Sequence, residues 1–348
     1  MTTNAQPCIG IALGSGAAKG FAHIGVLRAL EEMGIRPQVI AGSSMGAFVG
    51  SAYAAGCMDK LEDWVKQLDN WRVFSLLDIN WSLSGGVLGG KKPFQTFFED
   101  FAYQNIEDLP VPFTAVATDL DSGQEVWLQQ GNLSDAVSAS CSIPGLLSPK
   151  QVAGHWLVDG AVVNPVPVNV CRAMGATCVI AVDVTEDGAA KRERRGGEVK
   201  KLASEPGAAE LEDGADSDSE EAAPGVETGA VSGAPPAQSL DELAAQQSAY
   251  LNSLLLQGRE QLAQLSQRFR KSETYAPGVL ETLTTAIEIL ERRHKRSRLM
   301  GSPPDVLIMP KVGGIAGLEF SRAGEAVEAG YAEVQRARTW LEDVVLGY

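Results

Sequence analysis

Two strand–turn–helix units within the first 55 residues constrain this chain more than any other feature. Cys8 to Leu13 is a short apolar run that ends in a glycine-rich turn, and Phe21 to Met33 continues with apolar residues at helical spacing. Val39 to Ala41 begins the pattern again: a short strand, a tight turn, then the small-residue helix Met45 to Ala55. Phe113 to Thr118, Glu125 to Leu128, Trp156 to Val158 and Thr177 to Val184 read as further strands, the last after a helix that starts near Pro165. Such alternation predicts an α/β layered fold around a largely parallel sheet.

Composition breaks this pattern sharply. From about Glu186 to Gln238 the chain is Gly, Ala, Pro, Ser and acid, with almost no large apolar side chain. A segment of that kind buries too little surface to offset its ordering entropy and is expected to be a disordered insertion. Order resumes at Ser239-Leu240-Asp241-Glu242, which has the capping-box form. Helical patterns run on to about Arg298 with a break near Pro277. Asp305 to Met309 then reads as a late strand and Ala323 to Val345 as a terminal helix. The late strand should rejoin the sheet, so the expected organisation is one domain in two parts, 8–185 and 239–345, interrupted by the acidic insertion 186–238.

Net charge points the same way. Eleven acids and no Lys or Arg lie between Glu205 and Glu242, and taking them from the total of −15 leaves −4. The folded part is only mildly acidic, and nothing in it suggests the basic surface of a nucleic-acid binder. The cysteines Cys8, Cys57, Cys141, Cys171 and Cys178 form no CxxC pair, which argues against a disulfide framework or a zinc site. The N-terminal residues lack a basic, then apolar, leader, and no window is apolar enough to span a bilayer. The expectation is a cytoplasmic protein without a metal or other cofactor, whose membrane contact would be transient and peripheral, at the inner membrane surface.

Three small motifs carry candidate chemistry. The first is Gly14-Ser15-Gly16-Ala17-Ala18-Lys19-Gly20, between a strand and a helix. Small residues there let backbone amides point into a cavity at a helix N-terminus, which suits an anion or an oxyanion. The spacing also resembles variants of the dinucleotide fingerprint, but no acid follows the second strand to hold a ribose. The second is Gly42-Ser43-Ser44-Met45-Gly46, a G-x-S-x-G frame that selects Ser44 and passes over Ser43. Strand before and helix after is the setting of a nucleophile elbow. The third is Asp159-Gly160-Ala161, which by itself reads as an ordinary turn.

A serine nucleophile needs a base, and the three histidines serve poorly. His23 lies on the helix after the glycine loop, His294 sits in a basic run that reads as a solvated helix face, and His155 is four residues before Asp159. A Ser-Asp-His triad in the usual hydrolase order would leave only His294.

Together, the loop Gly14 to Gly20, the elbow at Ser44 and Asp159-Gly160-Ala161 resemble the patatin-like phospholipases, specifically their bacterial branch. Ala139-Ser140-Cys141-Ser142-Ile143-Pro144-Gly145 is similar to the block that this family carries upstream of its aspartate, and Pro304 to Tyr331 resembles the same branch. The resemblance covers roughly residues 8–184 and 280–345. It implies a three-layer α/β/α sandwich and a lipid acyl hydrolase with a Ser-Asp dyad and no histidine. Ser44 would be the nucleophile and Asp159 the base. Gly14, Ser15, Gly16, Ala17 and Lys19 would form the oxyanion and substrate loop, with amides of Gly16 and Ala17 on the oxyanion. Gly42 and Gly46 would flank the elbow, and Gly160 and Ala161 would complete the aspartate motif. The family often has glycine where this chain has Ser15 and Ala17, and the acidic insertion has no counterpart in its pattern.

The implied substrate is a lipid ester, a phospholipid or lysophospholipid. The aromatics Trp64, Trp71, Phe74, Trp81, Phe94, Phe97 and Phe98 read either as core or as an acyl groove, with Gly85, Gly86, Gly89 and Gly90 giving a lid its freedom. The basic run Arg292, Arg293, Lys295, Arg296, Arg298 reads as a solvated helix end or as an attractor for anionic lipid. A regulatory or interaction protein with weak or no hydrolysis is the alternative.

Overall fold

The apolar run at Ile9–Leu13 is buried on both sides, and the rest of the molecule is laid out around it. A computed structural model describes residues 7–67, 78–79, 86–89, 97–99, 101–185 and 279–347. In chain order the elements are β1 (Ile9–Leu13), α1 (Ala22–Glu32), β2 (Val39–Ser43), α2 (Met45–Ala54), α3 (Met58–Lys66), β3 (Asp78–Ile79), β4 (Gly86–Gly89), β5 (Phe113–Asp119) and β6 (Glu125–Leu128). They continue with α4 (Leu133–Ser140), β7 (Gly145–Leu147), β8 (Lys150–Val152), β9 (His155–Asp159), α5 (Val168–Ala173), β10 (Cys178–Val182), α6 (Val279–Gly301), β11 (Val306–Ile308), α7 (Ala323–Arg336) and α8 (Arg338–Leu341).

The main sheet runs β11-β10-β1-β2-β5-β9-β8, with β6 paired to β5. From β11 to β5 every neighbour is parallel, and β6, β9 and β8 add antiparallel strands at the far side. Side chains alternate between two covered faces. Ile11, Leu13, Ile40, Ile180 and Val182 pack into the core shared with α1, α2, α4 and α7, whereas Ala12, Ala41, Val179 and Ala181 pack against Val168, Val170 and Cys171 of α5. Near-continuous apolar strands are what burial on both faces demands. The chain is a three-layer α/β/α sandwich with a mixed central sheet. A smaller sheet joins β3, β4 and β7.

The described residues all lie in one compact unit, Met1–Glu198 with Val279–Tyr348. β11 pairs in parallel with β10, Val182 opposite Ile308, so chain from beyond residue 279 completes the sheet edge. The expected terminal helix is interrupted at Ala337, where α7 gives way to α8 and a wide final turn over Glu342–Leu346. The acidic insertion 186–238, the capping box at Ser239, and Trp71, Phe74, Trp81, Phe94, Gly85 and Gly90 lie outside the described residues. The aromatics that are described are core: Phe97 and Phe98 are almost wholly buried and meet Phe48 at ring-centroid distances of 4.8 and 6.0 Å. Trp64 stands 5.4 Å from Phe97. No helix among the described residues is long and apolar enough to cross a membrane.

Candidate active site

Ser44 is the residue between β2 and α2, and its backbone has φ 55° and ψ −124°. An L residue is strained there, at a cost of about 1–3 kcal/mol, and persists only where the surroundings dictate it. Here they do. A Cβ on Gly46 would lie 2.1 Å from the Leu13 carbonyl oxygen, and one on Gly42 would lie 2.5 Å from the Ala47 nitrogen, so neither flank admits a side chain. The Ser44 amide donates to Ser140 Oγ at 3.0 Å, and Ser140 Oγ donates in turn to the Val116 carbonyl at 2.5 Å. Ser43 is wholly buried, and its hydroxyl has no partner among the described residues.

Topology brings the aspartate to this serine. One edge of β5 is shared by two strands of opposite direction: β2 arrives parallel and ends with Ser43 opposite Val116, and β9 arrives antiparallel and ends with Asp159 opposite Ala117. β6 occupies the other edge. The two strand ends therefore abut, and Ser44 Oγ donates to Asp159 Oδ2 at 2.6 Å. The other carboxylate oxygen accepts the Ala161 amide at 2.8 Å. A Cβ on Gly160 would lie 2.2 Å from the Val116 carbonyl oxygen, which explains the Asp-Gly pair at this strand end. The backbone of Asp159 is fixed as well: its amide donates to the Ser142 carbonyl at 2.9 Å, and its carbonyl accepts from Thr118 Oγ1 at 2.8 Å.

Burial raises the Asp159 pKa to about 7, against the opposing effect of the hydrogen bonds from Ser44 and Ala161. A carboxylate with that pKa can accept a proton near neutrality, where an ordinary one is too weak a base. Cys141 adjoins the pair, and its thiol is pushed well above its usual range by burial and by the Asp159 charge. It stays a protonated thiol beside the serine.

The glycine loop divides into tied and untied amides. Gly14 donates to the Val182 carbonyl at 2.9 Å, Ser15 to Pro165 at 2.8 Å, Ala18 to Gly317 at 3.0 Å and Lys19 to Gly16 at 3.1 Å. The amides of Gly16 and Ala17 have no acceptor among the described residues. Gly14 and Ser15 thus anchor the loop to the sheet, and the untied donors are the next two. Ala17 has φ 48°, a left-handed conformation that glycine would adopt without strain. A Cβ on Gly20 would strike Met45, so the end of the loop packs against the first residue after the elbow. The Lys19 side chain is partly exposed and makes no ion pair among the described residues.

None of the histidines reaches the serine. His23 is fully buried, donates from Nε2 to the Gly14 carbonyl at 2.7 Å, and has its pKa lowered to about 4 by burial, so it is a neutral strut for the loop. His155 is largely exposed and pairs through Nδ1 with Asp119 at 2.8 Å. His294 donates to the Val163 carbonyl at 2.5 Å. Within the basic run around it Lys295 departs from both readings, being only 3% exposed and bonded to the equally buried Asp183, whereas Arg293 and Arg296 are exposed. Among the described residues no group of acids, histidines or cysteines is placed to hold a metal. Sequence reasoning passed over Thr118 and Asp183, and named Ser140, Ser142 and Lys295 only within longer runs, with no contact assigned to them. Their partners are distant in sequence, and only the Ser140 block carried a local signal.

Residues 11–172 match the family described as patatin-like phospholipase. An NTE family protein of Mycobacterium tuberculosis is 42% identical over 181 residues, 52% of this chain and 50% of that protein. Human patatin-like phospholipase domain-containing protein 6 is 34% identical over 185 residues, which cover 51% of this chain and 13% of that protein. The chain thus spans about half the length of the mycobacterial relative. Among solved structures, VipD from Legionella pneumophila aligns with a TM-score of 0.33 at 15% identity, over 57% of this chain and 54% of that one.

Proposed function

Because residues 11–172 of this chain match the patatin-like phospholipase family, we propose that it is a serine hydrolase of lipid carboxylic esters working through a Ser44–Asp159 dyad. The single observation that supports this most is the 2.6 Å hydrogen bond from Ser44 Oγ to Asp159 Oδ2 on a strained strand-to-helix turn. In this reading Asp159 takes the hydroxyl proton as Ser44 Oγ attacks the ester carbonyl, and the carbonyl π pair moves onto oxygen. The Gly16 and Ala17 amides, which have no acceptor among the described residues, stabilise that oxyanion. Collapse breaks the bond to the alcohol oxygen, and Asp159 returns the proton to the departing alcohol. Water, deprotonated by Asp159, then attacks the acyl-enzyme carbonyl, and the serine leaves with the proton.

The substrate class is a phospholipid or lysophospholipid acyl ester, with the partly exposed Lys19 beside the loop to face an anionic headgroup. The test is labelling of the full chain with a fluorophosphonate, with the modified peptide mapped by mass spectrometry. The expected adduct is on Ser44 and disappears in Asp159→Asn while the fold persists. An adduct elsewhere would move the nucleophile, and folded protein that takes no label would leave the interaction-protein alternative.

A further inference from the structure

The helix α6 bears on the site from two directions. On one side His294 Nε2 and Arg298 Nε donate to the Val163 carbonyl, and Arg298 also pairs with Glu125 at 2.6 Å. Val163 closes the turn that follows Asp159, its amide donating to the Gly160 carbonyl at 3.1 Å. On the other side is Lys295, the buried member of a basic run whose neighbours Arg293 and Arg296 are exposed. Its ammonium donates to Asp183 Oδ2 at 2.5 Å, to the Thr185 carbonyl at 2.8 Å and to Thr185 Oγ1 at 2.9 Å. Each of the three donors of an ammonium is thereby matched. Asp183 Oδ1 accepts the amide and the hydroxyl of Thr185 at 2.9 and 2.7 Å.

These bonds fold residues 183–185 around the ammonium, with Val184 at the centre. Val184 is wholly buried, and a Cβ on Gly16 would lie 2.3 Å from its Cγ2, so Val184 is the wall against which Gly16 rests. The chain before Val184 is pinned too, since Gly14 donates to Val182 and Asp183 donates to Ile308, both at 2.9 Å. An exposed pair would anchor a helix without the desolvation cost of burying both charges. A buried ammonium that also binds the backbone carbonyl of Thr185 fixes the position of a turn.

We propose that Lys295 is a positioning residue for the oxyanion loop, holding Val184 against Gly16 and so setting where the Gly16 and Ala17 amides point. The inference rests on the serine-hydrolase reading and adds to it a dependence on a residue from beyond the acidic stretch. Displacement of a reacting group by about 1 Å costs about 10²-fold in rate, so loss of this clamp should act on the chemical step more than on substrate binding.

The experiment measures kcat and KM on a p-nitrophenyl acyl ester, together with the rate of fluorophosphonate labelling at Ser44. It uses the full-length wild type, Lys295→Met, Lys295→Met with Asp183→Asn, and Val184→Ala. Lys295→Met leaves a buried carboxylate unpaired and is expected to lose stability, whereas the double variant removes that charge and regains it. The expected result is kcat and labelling lowered about 10²-fold in both, with KM within about twofold of wild type. Val184→Ala, which alters no charge, is expected to lower kcat in the same sense. Recovery of kcat along with stability in the double variant would make the pair a fold anchor only and overturn the inference. Unchanged kcat in folded Val184→Ala would overturn it as well. A wild type that takes no label would sink the hydrolase reading and this inference with it, whereas equal labelling of wild type and the Lys295 variants sinks the inference alone.

Discussion

To serve as the proposed base Asp159 must be ionised, yet burial disfavours its charge and raises its pKa to about 7. In an unfolded chain the same carboxyl would titrate near about 3.9. Between those values the folded state binds the proton that the unfolded state has released, so folding stability from this group falls as pH rises through the window. The move corresponds to about 4 kcal/mol, lost by pH 8 and fully regained below about pH 4. Two outcomes follow for Asp159→Asn, which cannot ionise. Its activity should fall by about 10²–10⁴-fold. Its stability by urea denaturation should exceed that of wild type at pH 8, with the gap closing as pH is lowered through 7 towards 4. A gap independent of pH would mean that Asp159 is not the strained ionisable group. Wild-type kcat/KM should rise with pH through about 7. Ser140→Ala belongs to the same scale: it leaves the buried Ser44 amide without its acceptor, at about 1–3 kcal/mol. Labelling of Ser44 should slow by about tenfold, and an unchanged rate would show that the elbow does not need that tether. Ser44 stands out as a candidate in the sequence because the G-x-S-x-G frame is local. Asp159 becomes a candidate only through family resemblance, because its spacing to Ser44 is meaningless without the sheet. Ser140 and Lys295 act across 96 and 112 residues, and no local pattern announces such partners.

The strands carry the site because two of them end on one edge of β5, and that arrangement was half visible. Near-continuous apolar runs announced the buried parallel strands β1, β2, β5 and β10. The antiparallel pairing of β6 with β5 and of β9 with β8 is written in their connections instead. The β5–β6 link is a short turn with Gly123 at φ 68°, and β8–β9 is a two-residue hairpin through Ala153 and Gly154, both at positive φ. Short connections of this kind can join only antiparallel neighbours. β7, β8 and α4 went unread, being only three, three and eight residues long and without clean periodicity. Among the helices, α1 and α7 cross where Gly25 and Gly330 face the partner backbone. A Cβ on Gly25 would lie 1.9 Å from the Val327 carbonyl oxygen, and one on Gly330 2.0 Å from that of Ala22. Gly25→Ala and Gly330→Ala should each cost about 1–3 kcal/mol by forcing the helices apart. Gly324, also in α7, has open space where a Cβ would sit, with nothing within 4 Å, so Gly324→Ala should be neutral or stabilising by up to about 1 kcal/mol. Equal effects from all three in thermal denaturation would rule out the close crossing as the cause.

At the scale of the whole molecule, the stretch that matches the family, residues 11–172, lacks parts of its own core. β10 and β11 close one side of the sheet, and α7 covers α1, with Ala326 and Val334 buried in the cluster that contains Ile24 and Leu27. Lys295 neutralises Asp183, and Gly317 accepts the Ala18 amide of the glycine loop. Without residues 279–347 the chain would expose the α1 face and the β10 edge and leave a buried carboxylate unpaired, a loss larger than the few kcal/mol of net stability that a domain usually holds. A fragment of residues 1–185 should therefore show no cooperative thermal transition and no labelling of Ser44. Co-expression with a separate 279–348 fragment should restore both, because the bonds between the two parts, among them Lys295 to Asp183 and the Ala18 amide to the Gly317 carbonyl, are non-covalent. The organisation expected from the sequence, one domain in two parts, stands or falls on this pair of fragments. A 1–185 fragment that unfolds cooperatively and labels at Ser44 would show that the first part is a domain by itself, and that the clamp from α6 is dispensable to the loop it touches.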